Sequence, residues 1–424
     1  MNKVNLNTIS LNSLLLNLVG KEMLVGDEVK LPAIEGNYFV ATYNVTDTSS
    51  DTQIIGSAKH GGYFNLSNFT EIYVDNKPSD VNATYPFKTI GEHKVTFLMN
   101  DQYFKYCSYM FSKCRQLTTL DLSNFNTRNV STMEGMFQQC DNLNVIDLSK
   151  LDTSNVKNMS YMFYGCGVTE LNLSNFNTSS VTNMMRMFKS SSVRVLDLSS
   201  FNTTNVTDMT EMFAYSGLIE VNLHSFRTPN LTKMGDMFRN LWYIKSVDMS
   251  TFDISKVVDI SYIFCNDQEL KSIVFPKGQT AYLSNIKYAF SGCRALESLD
   301  LTSIDTSNVK SMEQLFRGCK SLTSLDLSGF NVENVTNFNS MFYECYSLLN
   351  LSSFYNWKMA SISLSDSPIT ALNVHDLIER SMNLVDGATA RTLTLNATTK
   401  ANWEASEYYQ TDLELLVTKG ITIA

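Results

Sequence analysis

A phenylalanine, most often preceded by methionine, returns every 25 or 26 residues, at Phe111, Phe137, Phe163, Phe188, Phe213, Phe238, Phe264, Phe290, Phe316 and Phe342. A period this short constrains the fold severely: one unit cannot bury its own apolar face, so neighbours must stack on one another. Each unit reads L-x-x-L-D-L-S-x-F-N-T-x-x-V-x-x-M-x-x-M-F-x-x-C, as in Leu117 to Cys140 and Leu296 to Cys319. Two shorter periods lie inside it. Leu120 and Leu122 alternate with Thr119, Asp121 and Ser123, the period of two that turns one set inward on a strand. Val130, Met133, Met136, Phe137 and Cys140 then fall at three- and four-residue steps, which line one face of a helix or a run of helical turns. Asn129 stands where an N-cap belongs, and Asn155, Asn205, Asn230, Asn308 and Asn334 take the same place in other units. The fold class predicted is an α/β repeat, strand then turn then helical segment. Parallel strands stacked at about 4.8 Å would give a sheet roughly 45–50 Å long.

The unit LTSLDLSGFNVENVTNFNSMFYEC (Leu322 to Cys345) resembles that of the BspA-like leucine-rich-repeat surface proteins of bacteria, a repeat also found in mycoplasma and lactobacillus surface proteins. The likeness extends from about Cys107 to Phe354. It implies a leucine-rich-repeat-like solenoid of about ten turns and a role in adhesion or interaction, and it brings no catalytic residues with it. One unit departs from the pattern. Leu270 to Cys293 has Val274 in place of Asp and Pro276, Lys277 and Gly278 in place of Ser-x-Phe, and a local kink or bulge is expected there.

The flanks differ in kind. Residues 32–100 lack the repeat and carry alternating or aromatic runs, Tyr38 to Val45, Glu71 to Val74 and His93 to Leu98, broken by Gly61-Gly62, Lys77-Pro78 and Ile90-Gly91; they read as a small β domain. Its last strand, Lys94 to Met99, is expected to run straight into the solenoid over 101–355 and to shield its first unit. Residues 1–31 are too short and too Asn-rich for a domain and read as an arm. Residues 356–424 read as an α/β cap: a helical stretch from Leu372 to Leu384, a strand at Arg391 to Asn396, a helix around Thr399 to Thr418 and a strand at Ile421 to Ile423. The run TARTLTLNATT, followed by a helix and KGITIA, resembles the closing segment of gut-phage structural proteins that carry these repeats.

Composition narrows the function. Only 18% of the 424 residues are charged, Asn occurs 41 times, and the net charge is −9 with no basic run, which argues against a nucleic-acid partner. The apolar stretch Leu11 to Val19 is interrupted by Asn12, Ser13 and Asn17, and no window approaches the roughly 18 apolar residues of a membrane span. No signal peptide, lipobox cysteine or sorting motif is read.

Six of the eight cysteines, Cys114, Cys140, Cys166, Cys293, Cys319 and Cys345, share one repeat position. Ser191, Ser216 and Leu241 take that place elsewhere, which suits a stacked core ladder of reduced thiols rather than a metal cluster. Asp121, Asp147, Asp197, Asp248, Asp300 and Asp326, with Asn172 and Asn222 interleaved, form a lateral ladder on the strands. Together with Thr119, Glu170 and Glu220 these are the binding-face candidates. Like charges about 5 Å apart cost energy, so a cationic partner or shifted pKa values would relieve the ladder. Calcium loops wrap glycine-rich backbone, which is missing here, so neither a metal nor a cofactor is expected. His60, His93, His224 and His375 fall in four different segments, and no Ser/His/Asp set, HExxH or P-loop is present. The chain is read as non-enzymatic. Tyr164, Tyr215, Trp242, Tyr243, Tyr343 and Tyr346 are potential stacking surfaces for sugars.

The resulting expectation is a bacteriophage virion structural protein, a tail or head fibre or decoration. Its N-terminal region would dock on other virion proteins, and its solenoid would meet a host-surface glycan or protein. The alternative is a bacterial cell-surface adhesin of the same family. A third class is a ligand-free spacer, in which exposed strand residues are interchangeable. A homo-oligomer stays open as a further partner, although no heptad segment is long enough to enforce one.

Overall fold

The computed structural model describes residues 36–56, 65–100, 104–278, 280–352 and 354–424. The arm expected over 1–31 and the Gly61-Gly62 break lie outside them.

The N-terminal region contributes β1 (Tyr38–Val45), β2 (Thr52–Gln53), β3 (Phe69–Val74), β4 (Lys77–Ser79), β5 (Thr84–Tyr85) and β6 (Gly91–Met99). Alternation along β1 turns Phe39, Ala41, Tyr43 and Val45 into the core, each without exposed surface. The first strand of the solenoid, β7 (Leu117–Asp121), completes an antiparallel five-stranded sheet ordered β4-β3-β6-β1-β7. The element that shields the first coil is therefore β1, with Ala41 opposite Leu120, and β6 sits one strand further in. This corrects the expectation for Lys94 to Met99. The reason is chain order: after β6 the chain must first build Cys107 to Cys114, the far side of the first coil, before it reaches the strand position. Phe39 closes the solenoid end by packing edge-on against Phe111 (5.2 Å) and Phe125 (5.5 Å).

The coils that follow carry short parallel strands, β8 (Val195–Asp197), β9 (Glu220–Asn222), β10 (Ser246–Asp248), β11 (Ser272–Val274), β12 (Ser324–Asp326) and β13 (Asn350–Ser352). They pair in register as β8 with β9, β10 with β11 and β12 with β13. The irregular unit keeps this register, Val274 opposite Asp248, so the expected kink does not disturb its strand; Gln279, in its loop, lies outside the described residues.

The segment expected to be helical is not a helix. Around Phe137, the N–H groups of Met133, Gly135, Phe137 and Gln139 donate to Asn158, Ser160, Met162 and Tyr164 of the next coil at 2.8–2.9 Å, while Met136, Gln138 and Cys140 close three-residue turns on Met133, Gly135 and Phe137. Half of the amides thus run along the solenoid axis, where an α-helix would spend them internally. The alternation needs left-handed backbone two residues before and two after each core phenylalanine, as at Gly135 and Gln139 (φ 57° and 55°). Glycine meets this need in a few coils; elsewhere Tyr161, Arg186 or Ser190 accept it, held by N–H bonds to the next coil. Isolated parallel bridges link this side from Tyr106 through Thr132, Asn158, Asn183, Asp208, Lys233 and Asp259 to Asn285.

Three buried columns run through the coils. The ten phenylalanines stack with ring centroids 5.2–6.0 Å apart. The eight cysteines are free and buried. The thiols of Cys140, Cys293, Cys319 and Cys345 donate to the preceding coil's phenylalanine carbonyl at 3.1–3.2 Å, and burial pushes Cys166 and Cys345 up to about 12. Thr127, Thr153, Thr178, Thr203 and Thr228 form the third column, each hydroxyl accepting an N–H from the next coil and donating to a carbonyl of the same residue. Asn155, Asn205, Asn230, Asn308 and Asn334 are not N-caps. Their Nδ2 groups donate to carbonyls of the preceding coil at 2.7–3.0 Å, so a column of amides stitches adjacent coils.

The C-terminal region folds as β14 (Ile362–Leu364), α1 (Ala371–Glu379), β15 (Arg391–Leu395), α2 (Ala397–Glu404), α3 (Tyr409–Lys419) and β16 (Ile421–Ile423), with the strands parallel and ordered β14-β15-β16. The single helix expected over Thr399 to Thr418 is two. Trp403, at the end of α2, donates from Nε1 to Asp412 on α3 (2.7 Å), a contact that the break at 405–408 permits. Gly420 ends α3 in left-handed conformation (φ 64°), where a Cβ would strike Leu384. Asn373 of α1 accepts the N–H of Leu351 (3.1 Å), so the cap satisfies a buried amide of β13.

Candidate functional site

The strand side of the solenoid carries all the candidates, and its Asp/Asn ladder has a local function first. Through Oδ1, each of Asp121, Asp147, Asn172, Asp197, Asn222, Asp248, Asp300 and Asp326 accepts the backbone N–H two residues further on, at 2.8–3.2 Å. These are Asx turns, which end each strand and start the bend. The backbone N–H bonds hold Asp147 and Asp197 below the usual carboxylate range, as the hydroxyl and N–H bonds of Ser250 and Thr302 do for Asp248 and Asp300. The relief expected from a cationic partner is thus supplied by the chain itself, and Asn222 adds a bond to Asp197 (3.0 Å). Two more Asx columns recur in most coils, for instance Asp152 to Ser154 and Asn158 to Ser160, and use further asparagines. Among the described residues, no three His, Cys, Asp or Glu side chains converge on a point that could hold a metal ion.

The remaining candidates separate. Thr119 lies on β7 opposite Thr42, within the N-terminal sheet. Glu170 and Asn172 line a cleft of 540 Å³ with Val145, Thr169, Arg194 and Val195. Glu220 begins β9 on the next coil but one. Arg194 carried no signal in the repeat pattern. It sits where the units shorten to 25 residues, with Gly217 in place of a longer corner, and Tyr243 reaches over it with its ring 5.5 Å from the guanidinium. Other tyrosines in the aromatic set also meet cations: Tyr215 between Lys189 and Arg239, Tyr343 against Arg317, Tyr346 against Lys320.

His60 lies outside the described residues, and the described histidines stay apart. His93 bonds Asp75 (2.7 Å) and the Thr89 carbonyl (2.9 Å). Burial would depress this imidazole, and the two hydrogen bonds outweigh it and raise its pKa. His375 faces Asp412 (2.7 Å) and Glu379 (3.9 Å) and stacks on Tyr408, tying α1 to α3. One buried acid escaped the sequence pattern. Asp267 takes the cysteine position after Phe264, accepts the Leu241 N–H (2.7 Å) through Oδ1, leaves Oδ2 without a hydrogen-bond partner, and is pushed well up by burial. No helix among the described residues is long and apolar enough to cross a membrane.

A sequence profile of the family described as "Mycoplasma protein of unknown function, DUF285" matches residues 105–215, 191–274 and 272–372, more than half of the chain and the same stretch as the repeat. Among solved structures the chain is similar to a leucine-rich repeat protein from Bacteroides ovatus ATCC 8483, at 13% identity over 82% of this chain and 90% of that one, with a TM-score of 0.38. No curated protein matches.

Proposed function

This chain belongs to the DUF285 family, and from that premise we propose that it is a non-enzymatic adhesion protein that presents the strand side of its solenoid to a surface glycan or protein. The observation that carries the reading is a contrast between neighbouring columns. Inward positions repeat as Leu, Met, Phe and Cys, whereas the exposed position two after the first leucine runs Thr119, Val145, Glu170, Val195, Glu220 before settling to Ser246, Ser272, Ser298 and Ser324. A scaffold held constant beneath a changing surface is what recognition needs. The finer placement is on a bacteriophage particle, with the N-terminal region bound to other virion proteins; a bacterial cell surface is the alternative.

Two measurements test this. The full-length protein should bind cells from its source community saturably, and binding should fall when Val145, Glu170, Val195 and Glu220 are replaced together by Ser; a variant that binds like the parent would support a mere spacer. Mass spectrometry of gradient-purified particles against the host-envelope fraction decides the location. Peptides in the virion band support the particle, and peptides confined to the envelope support the cell-surface adhesin.

A further inference from the structure

We infer that the cleft around Arg194 is a subsite for a carboxylated pyranose, a uronic- or sialic-acid-type sugar. The proposal rests on the adhesion reading and names the ligand class of that face. Arg194 is the starting point. Arg115, Arg186 and Arg239 are matched by Asp141, Glu211 and Asp236, whereas the Arg194 guanidinium has neither an ion pair nor a hydrogen bond among the described residues. In a chain of net charge −9, an exposed guanidinium that lines a 540 Å³ cleft without an ion pair is free to pair with an anion. The guanidinium carbon lies over the Tyr243 ring, 5.5 Å from its centroid, and the guanidinium N–H groups remain for a bidentate carboxylate.

The rest of the cleft selects what carries that carboxylate. Val145 and Val195 remain 70% and 50% exposed and supply the aliphatic walls against which the C–H face of a sugar ring packs. The backbone of Glu170 bridges to Val195, and its carboxylate, which lines the cleft without an ion pair or hydrogen bond among the described residues, is available to accept from ligand hydroxyls. Asn172 spends Oδ1 on the Ser174 N–H and keeps Nδ2 as a donor. Of the ladder residues only Asn172, an amide, lines the cleft; Asp197, on the same coil as Arg194, and Asp147 are not in its lining. The cleft also falls in the half of the strand side where the exposed column varies, and the serine run begins only at Ser246.

The test is calorimetric titration of the full-length protein with trigalacturonic acid and with sialyllactose, against trigalacturonic acid methyl ester and lactose. Saturable binding of at least one acidic probe is expected, at least tenfold weaker for its uncharged counterpart. Arg194→Ala should weaken it at least tenfold and Arg194→Lys less, while Arg317→Ala, at another tyrosine-stacked arginine, should leave it unchanged; unaltered melting temperatures show that the variants fold. Failure of both acidic probes to bind, equal binding of charged and uncharged probes, or unchanged binding by Arg194→Ala would overturn the subsite. Cell binding separates the two claims: a parent protein that binds no cells refutes adhesion, and an Arg194→Ala variant that binds cells as the parent does refutes only this subsite.

Discussion

Within a single coil, the turn side and the strand side solve the same stacking problem differently. On the turn side, alternate amides of the units from Phe111 to Phe316 reach the next coil and the bridges continue from Tyr106 to Asn285, above a phenylalanine column with no exposed surface at Phe111, Phe137, Phe163 and Phe188. On the strand side, the named strands of coils beyond β7 pair only in twos, β8 with β9, β10 with β11 and β12 with β13. The polar ladder there is spent on Asx turns within each coil, and side chains such as Val195 stand half exposed. The comparison teaches that cohesion and display are divided between the two sides. The strand-side backbone still bonds neighbouring coils, Glu170 with Val195 and Val195 with Glu220, but the exposed side chains there have no part in holding the coils together and are free to vary.

The division can be broken most severely at the phenylalanine column. Phe188→Ala should destabilise the protein by about 3–5 kcal/mol and shift the whole thermal transition, whereas Val195→Ala on the other side should stay within about 0.5 kcal/mol; equal effects in a denaturant titration would erase the contrast. Next comes the threonine column. Thr178→Val removes the hydroxyl that serves both N–H and carbonyl of Asn202 and should cost about 1–3 kcal/mol, measured in the same way.

Asp267 sharpens the comparison from the opposite direction, as the one acid in a column of thiols and small side chains. Its raised pKa means that the folded state holds the proton more tightly than the unfolded state. Stability is therefore greatest below the unfolded value of about 3.9 and declines as pH rises above it. Asp267→Asn keeps the acceptor for Leu241 without the charge. It should raise the melting temperature at pH 7–8 and lose that advantage near pH 4; no gain at neutral pH would show that the acid is accommodated better than its burial suggests.

The smallest effect belongs to the strand-side ladder. Asp147, Asp197, Asp248 and Asp300 have lowered pKa values, so the stability they contribute is present above about pH 3.9 and fades as pH falls through those lowered values. Replacing all four by Asn, which preserves the Asx acceptor, should flatten the acid limb of a melting-temperature profile and change little at pH 7.

Much of this was legible in the repeat, and the omissions have physical causes. The inward set Val130, Met133, Met136, Phe137 and Cys140 was readable, yet helical spacing and a chain of tight turns bury the same positions, so the sequence pattern could not say where the amides go. The Asn155 column was readable as capping chemistry because a side-chain amide both accepts, as an N-cap does, and donates, as it does here between coils. The Asp ladder was visible as a row, but its partner was the backbone two residues on, a local turn that alternation along a strand does not advertise. Arg194 gave no signal because its environment comes from Tyr243, two coils away, a neighbour that only the stacking of coils supplies.

Hydrogen–deuterium exchange of the full-length protein, followed by mass spectrometry over overlapping peptides, tests the division of labour most directly. The account predicts that peptides across the turn side, such as those containing Met133 to Cys140 and Met184 to Ser191, exchange only with global unfolding, while strand-side peptides around Val145 to Asp147 and Glu170 to Asn172 exchange through smaller openings. Equal protection of the two sides, or greater protection on the strand side, would contradict it.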